Sequence, residues 1–172
     1  MRKIILGLAV SLDNFIEGPH GEYDWCLTDQ DYGMTEFLSR VDTVFYGRKS
    51  YELMINNEGG LDFFGKKKNY VFSNTLKELP DGAELVSGDI VSAIKEIKAQ
   101  QGKDIWLFGG ASLTSTILQA GLLDEVWLSV HPILLGKGKS LFPDLSERVN
   151  LKLIDSKTFN TGLVSLRYEV LH

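Results

Sequence analysis

Thr43-Val44-Phe45-Tyr46-Gly47-Arg48-Lys49-Ser50-Tyr51-Glu52 decides how the rest of the chain is read. Four β-branched or aromatic residues, the composition of a strand, run into one glycine. Basic and hydroxyl residues then open a helix. A helix that begins directly after a strand offers unpaired backbone N–H groups and the positive end of its dipole, which suits an anion such as a phosphate. Arg48 adds a planar, two-pronged donor that lysine does not reproduce. An ordinary strand-to-helix turn capped by Ser50 fits the same residues.

Working outward, similar apolar runs occupy Ile4 to Val10, Tyr70 to Phe72, Glu84 to Val86, Ile105 to Phe108 and Glu125 to Val130. Their near-continuous apolarity predicts strands covered on both faces. Helical stripes lie between them: Ile90, Ile94 and Ile97 recur at spacings of four and three, and Leu113 and Ile117 follow Gly110. This alternation predicts βαβ units and a largely parallel sheet. After Pro143 the pattern changes, because Leu151 to Phe159 and Leu163 to Val170 are joined only by Asn160-Thr161-Gly162. That is a hairpin signal. In its second strand Val164, Leu166, Tyr168 and Val170 alternate with Ser165, Arg167 and Glu169, predicting one buried face and one wet face. No repeat, low-complexity tract or linker interrupts the chain. Residues 1–172 are therefore expected to form one domain, an α/β protein in three α/β/α layers around a single mixed, mostly parallel sheet of about eight strands.

Composition narrows the function. With 172 residues, 44% hydrophobic and 24% charged, the chain has the balance of an ordinary globular protein. A net charge of -5 argues against a sequence-independent nucleic-acid binder, which needs a basic surface. Short basic groups at Lys66-Lys67-Lys68 and Lys137-Gly138-Lys139 read as solvated faces. Cys26 is the sole cysteine, so no internal disulfide, multi-cysteine zinc site or CxxC pair is expected. No stretch has the roughly 18 apolar residues of a membrane span, and the apolar run after Met1-Arg2-Lys3 stops at Asp13-Asn14 without a signal-peptide cleavage site. A cytoplasmic protein with a small-molecule substrate and no nucleic-acid or membrane partner is expected.

Further turns resemble the first. Ile105-Trp106-Leu107-Phe108 ends in Gly109-Gly110-Ala111-Ser112 and enters the helix near Leu113, and Ser73-Asn74 follows a third strand. A Gly-Gly pair alone is a plain tight turn. Several such turns at one sheet edge are what a dinucleotide needs. Competing motifs are absent: there is no G-x-G-x-x-G, no G-x-S-x-G, and Gly138-Lys139-Ser140 lacks the first P-loop glycine because Ile133 stands there. His20, His131 and His172 leave few bases for a hydrolase built on Ser112 or Cys26, and His131 reads as a structural residue at a strand end.

These strings together resemble the dihydrofolate reductase superfamily, and within it the branch of the reductase domain of riboflavin biosynthesis. Ser11-Leu12-Asp13-Asn14-Phe15-Ile16, then Gly18-Pro19-His20-Gly21 and Asp24-Trp25, resemble the branch's first strand end, active-site loop and tryptophan. Gly47 to Glu52 resembles its cofactor-phosphate turn and Gly109 to Leu113 its paired-glycine turn. His131-Pro132-Ile133-Leu134-Leu135-Gly136 and Gly138-Lys139-Ser140-Leu141-Phe142 resemble its late strand and following loop.

The resemblance implies NADPH as cofactor, a homodimer and a cis peptide at the paired glycines. It assigns Arg48 and Lys49, with Ser73 or Asn74, to the adenosine-side phosphate. Ser50 and the backbone of Gly110, Ala111, Ser112 and Leu113 would hold the pyrophosphate, Gly47 and Gly109 would bind cofactor in the same turns, and Ala9 and Ile16 would flank the nicotinamide. The zinc-deaminase partner domain of the bifunctional enzymes has no counterpart, because its His/Cys ligands are missing. No metal site is expected.

Asp13 and Asp31 are candidates for orienting substrate or supplying a proton, although a turn residue and a helix cap explain them equally. Trp25 and Ser129 are candidate substrate contacts, with Trp25 also readable as core. The expected activity is hydride transfer to a small heterocyclic or ribosylamino substrate, of the kind reduced by 5-amino-6-(5-phosphoribosylamino)uracil reductases. The substrate is expected between the first strand, the loop from Gly18 to Trp25 and the first helix. A dihydrofolate or other pteridine reductase, and a non-catalytic nucleotide-binding protein with the same fold, are the alternatives.

Overall fold

The computed structural model describes residues 1–79, 82–143 and 145–172. Its main sheet is built from β1 (Ile4–Ser11), β3 (Val41–Gly47), β4 (Lys68–Phe72), β5 (Glu84–Val86), β6 (Asp104–Gly109), β7 (Glu125–His131), β9 (Asn150–Thr158) and β10 (Val164–Leu171). Their order is β5-β4-β3-β6-β1-β7-β10-β9. From β5 to β7 all pairings are parallel; β10 is antiparallel to both β7 and β9. The mixed eight-stranded sheet with its C-terminal hairpin is the architecture expected from the sequence. A small ribbon of β2 (Phe15–Glu17) and β8 (Lys139–Ser140) lies apart from it.

Helices cover both faces because the central strands present apolar side chains to each. On one face α1 (Met34–Arg40) and α2 (Arg48–Ile55) contribute Phe37, Tyr51 and Met54 to a core with Ile5, Val44, Tyr46, Trp106 and Trp127. On the other, α3 (Ile90–Ala99) and α4 (Ala111–Gln119) bring Ile94, Ile97, Leu113 and Ile117 against Ile4, Leu6, Phe45 and Leu107. Each aliphatic side chain so buried contributes about 1.5–3 kcal/mol relative to leaving it in water. The α3 stripe predicted from Ile90, Ile94 and Ile97 is capped by Asp89, whose carboxylate accepts from Ser92 N at 3.1 Å.

The hairpin corrects one expectation. The face of β10 predicted to be wet is covered: Ser165 is buried and accepts a hydrogen bond from Trp127 Nε1 at 2.8 Å. Arg167 stacks on the same indole at 4.7 Å and pairs with Glu125 at 3.6 Å. These polar residues sit inside because each has a partner there. The peptide between Gly109 and Gly110 is trans, contrary to the cis bond that the resemblance implied.

Candidate active site

Because β3, β4, β6, β1 and β7 run parallel, their C-terminal ends, Gly47, Phe72, Gly109, Ser11 and His131, all lie along one edge. Open α/β sheets bind ligands at this edge. Two helices start there without a side-chain cap. Gly47 precedes α2 and Gly110, at φ 106°, precedes α4. The two glycines nearly touch: a Cβ on Gly110 would stand 3.1 Å from Gly47 Cα, and one on Gly47 3.3 Å from Gly110 Cα. Only a pair of glycines lets two uncapped N-termini converge so closely. The backbone there fits a phosphate-bearing group on two counts, unpaired N–H groups and space kept free of side chains.

A groove of about 410 Å3 opens beside this junction, lined by Gly47, Arg48, Lys49, Ser73, Asn74 and residues 110–113. Arg48 Nη1 donates to Glu52 Oε1 at 3.0 Å in an exposed pair. Ser73 Oγ accepts from the Leu76 amide at 3.1 Å, and Asn74 Oδ1 from the Gly88 amide at 2.8 Å, so both also shape their loop. The groove continues past Gly110 and Ala111 into a compartment of about 560 Å3 that includes Ala9, Ile16, Ser50, Gly109 and Thr114. Ser50 therefore faces a cavity and makes no cap.

A third compartment, about 470 Å3, adjoins the second through Gly7, Leu8, Ala9, Cys26, Thr28, Phe63 and Phe64. Its floor is β1 and β7, where Gly7 pairs with Trp127 and Ala9 with Ser129. Gly7 is obligatory there, since a Cβ would lie 2.6 Å from Phe37 Cζ. Ser129 and Asp31 line this compartment; Trp25 and Asp13 line none of the three. Trp25 instead packs edge-on against His131, ring centroids 5.3 Å apart. The loop facing the compartment is residues 26–34, whereas Gly18 to Glu22 curls on itself through Gly18 N to Glu22 O at 2.8 Å. The segment that faces this compartment thus lies further along the chain than Gly18 to Trp25.

The two carboxylates hold structure. Asp13 accepts from Ser11 Oγ at 2.7 Å and from the amides of Leu135 and Gly136 at 3.1 and 2.7 Å, tying the loop after β7 to the end of β1. Asp31 accepts from Thr35 Oγ1 at 2.6 Å, Thr35 N at 2.9 Å and Gly33 N at 3.1 Å, which secures the start of α1. The Ser11 and Thr35 hydrogen bonds respectively hold both below the usual carboxylate range. Burial pushes the Cys26 thiol up to about 11, so it stays protonated and is a poor nucleophile.

Several further lining residues are not among the site residues that the sequence points to. Lys139, whose basic run reads as a solvated face, lines both the phosphate groove and its extension and lies 3.7 Å from Glu17 across the β2–β8 ribbon. Phe37, Phe63, Phe64, Trp127 and His131 line the third compartment. Apart from His131, which opens the late-strand string, none sits in a local motif. Among the described residues, no cluster of His, Cys, Asp or Glu side chains has the grouping of a metal site, and no helix is long and apolar enough to cross a membrane.

Comparison with known proteins agrees with this architecture. Residues 2–165 match the model of the RibD C-terminal domain. The chain is 46% identical to the uncharacterized protein YyaP of Bacillus subtilis (strain 168), with 97% of this chain and 94% of that one covered. It is 31% identical to YwjB of the same organism, covering 97% of each. Among solved structures, a putative riboflavin biosynthesis protein from Shewanella sp. PV-4 superposes with a TM-score of 0.86 at 28% identity over the full length of both chains. A diaminohydroxyphosphoribosylaminopyrimidine deaminase/5-amino-6-(5-phosphoribosylamino)uracil reductase from Thermotoga maritima gives 0.74 at 16% identity, and this chain covers 57% of it. That likeness concerns the fold. On the family match and the YyaP identity, the chain belongs to the RibD C-terminal domain family.

Proposed function

We propose that this chain is an NADPH-dependent reductase acting on a small heterocyclic or ribosylamino substrate. The observation that carries the reading is continuity: a phosphate cradle between two uncapped helix N-termini leads, without a break in its lining, to an aromatic compartment over Gly7 and Ala9. Arg48 and Lys49 would meet the phosphate that distinguishes NADPH from NADH, and Ser50 with the amides of residues 111–113 the pyrophosphate. Lys139 would add a cation at the same place. Bound NADPH supplies a hydride. Ala9 and Ile16 would shape the space beside the substrate, and the lining that the two compartments share, Leu8 and Thr28 included, would bring the two ligands together. Reduction of a C=N or C=O bond also needs a proton. Asp31 lines the compartment and would orient substrate through the lone pairs that its hydrogen bonds to Gly33 and Thr35 leave free.

NADPH at about 100 times its dissociation constant adds roughly 2.7 kcal/mol to the folded state, which for a chain of this size raises the melting temperature by about 5–10 °C. A thermal melt with millimolar NADPH measures this, and an unchanged midpoint overturns the reading. Turnover of NADPH across a substrate panel then separates a reductase from a binding protein.

The reading also takes residues 1–172 as one domain that works in the cytoplasm as a homodimer. Strand β9 supports the dimer, because it is an edge strand exposed along its length, with Leu151, Leu153 and Ile154 at 44%, 52% and 43% exposure. Such an edge is normally covered. Light scattering at micromolar concentration should give twice the 19.2 kDa of one chain, and a monomer mass counts against the dimer.

A further inference from the structure

We propose that the substrate compartment selects a planar, uncharged ring and rejects one that carries a phosphate. This rests on the reductase reading and narrows its substrate class. The walls are the rings of Tyr32, Phe37, Phe63, Phe64 and Trp127, completed by Met34 and Leu163. Among the described residues, neither a lysine nor an arginine lines it. Arg48 and Lys49 line the phosphate groove, and Lys139 lines that groove and the compartment between it and the aromatic one.

The basic side chains nearest the aromatic walls are already committed. Arg40 and Arg167 stack on Trp127 at 5.8 and 4.7 Å and are bound to the buried Glu125. Lys157 sits over the Phe159 ring at 5.1 Å, outside the lining. His131 is the imidazole of the lining; its Nδ1 lies 2.9 Å from the Ser129 carbonyl, and burial holds its pKa below the ordinary value. Asp31, the carboxylate of the lining, is turned onto the start of α1 and is negative, which further disfavours an anion. A phosphate entering here would meet no cation in the lining, Lys157, whose charge reaches Asp31, standing outside it.

The mouth points the same way. Phe63 and Met34 stand at its rim with 60% and 40% exposure. Apolar side chains left in water beside an apolar cavity gain by being covered with a flat ring, which stacks well on aromatic walls. The walls therefore favour the ring itself, and the missing cations remove any gain from a charged appendage.

The test compares 5-amino-6-ribosylaminouracil with its 5′-phosphate, and adds 1,4-naphthoquinone as a bare planar ring. Each is titrated calorimetrically into the chain alone and into the chain saturated with NADPH. The expected result is binding of both uncharged rings, with the phosphorylated partner weaker by on the order of a hundredfold. Phe63→Lys, at an exposed position, should recover at least about tenfold for the phosphorylated ring by placing a cation at the mouth. Equal or tighter binding of the phosphate form, or no binding of either uncharged ring, overturns the proposal. A Phe63→Lys ratio unchanged from the parent would also count against it, by locating the discrimination elsewhere. Failure of NADPH itself to bind is a separate outcome that removes the reductase reading, because the ring comparison is also made without cofactor.

Discussion

Glu125→Ala is expected to lose roughly 3–5 kcal/mol of folding stability, a large part of what a domain of this size has in total. Glu125 is 1% exposed at the start of β7. Its carboxylate accepts from Lys3 Nζ at 2.8 Å and from Arg40 Nη1 and Nη2 at 3.0 and 3.3 Å, with Arg167 Nη2 at 3.6 Å. Removing it leaves three cations around a space with no anion at its centre. Asp104, 2.9 Å from Arg40, and Glu36, 3.8 Å from Arg167, compensate in part. Chemical denaturation at neutral pH measures the loss, and a change below about 1 kcal/mol, the range of surface pairs, would show that the cluster is solvated.

The pH dependence of the same pair of proteins is a second readout. Burial alone would raise the Glu125 pKa, but the hydrogen bonds from Arg40 and Lys3 outweigh it and hold the group below its usual 4.5. A depressed folded-state pKa means the stabilisation is complete above the unfolded value. It is lost as pH falls from about 4.5 through the folded value, where the unfolded chain takes up the proton first. The difference between wild type and Glu125→Ala should therefore be constant near neutrality and shrink in that acid range.

Arg48→Ala should weaken NADPH by tenfold to a hundredfold, the equivalent of the roughly 1.5–3 kcal/mol carried by a hydrogen bond to a charged group. NADH affinity should barely change. The guanidinium is free to serve, because its pair with Glu52 at 3.0 Å is exposed and contributes only about 0.3–0.5 kcal/mol. For the same reason the substitution leaves the fold intact. Titration of each cofactor into both proteins decides the matter: equal losses for NADPH and NADH would mean that Arg48 shapes the α2 turn and does not read the phosphate.

The phosphate half of the candidate site is legible in the sequence, because its parts are local. Gly47 to Ser50 and Gly109 to Leu113 are each a strand end, a glycine and a helix start within a few residues, and a parallel sheet puts such turns at one edge. The substrate half is not. Gly7, Tyr32, Phe37, Phe63, Phe64 and Trp127 come from separate parts of the chain and share no spacing. Trp25 and Asp13 stand out by their residue type and their place near the first strand; in the structure Trp25 packs on His131 and Asp13 braces the loop after β7.

By itself, then, the sequence determined the strand and helix alternation, the mostly parallel sheet, the closing hairpin and the glycine turns, since burial periodicity and turn chemistry act over a few neighbouring residues. Tertiary structure alone decided which residues wall the substrate compartment, that Lys139 meets the phosphate groove, and that β10 carries a buried polar face. Those depend on pairings such as Phe15 with Ser140 and Arg167 with Trp127. Pairings across such distances in the chain leave no local pattern, because what favours them is the free energy of the packed whole.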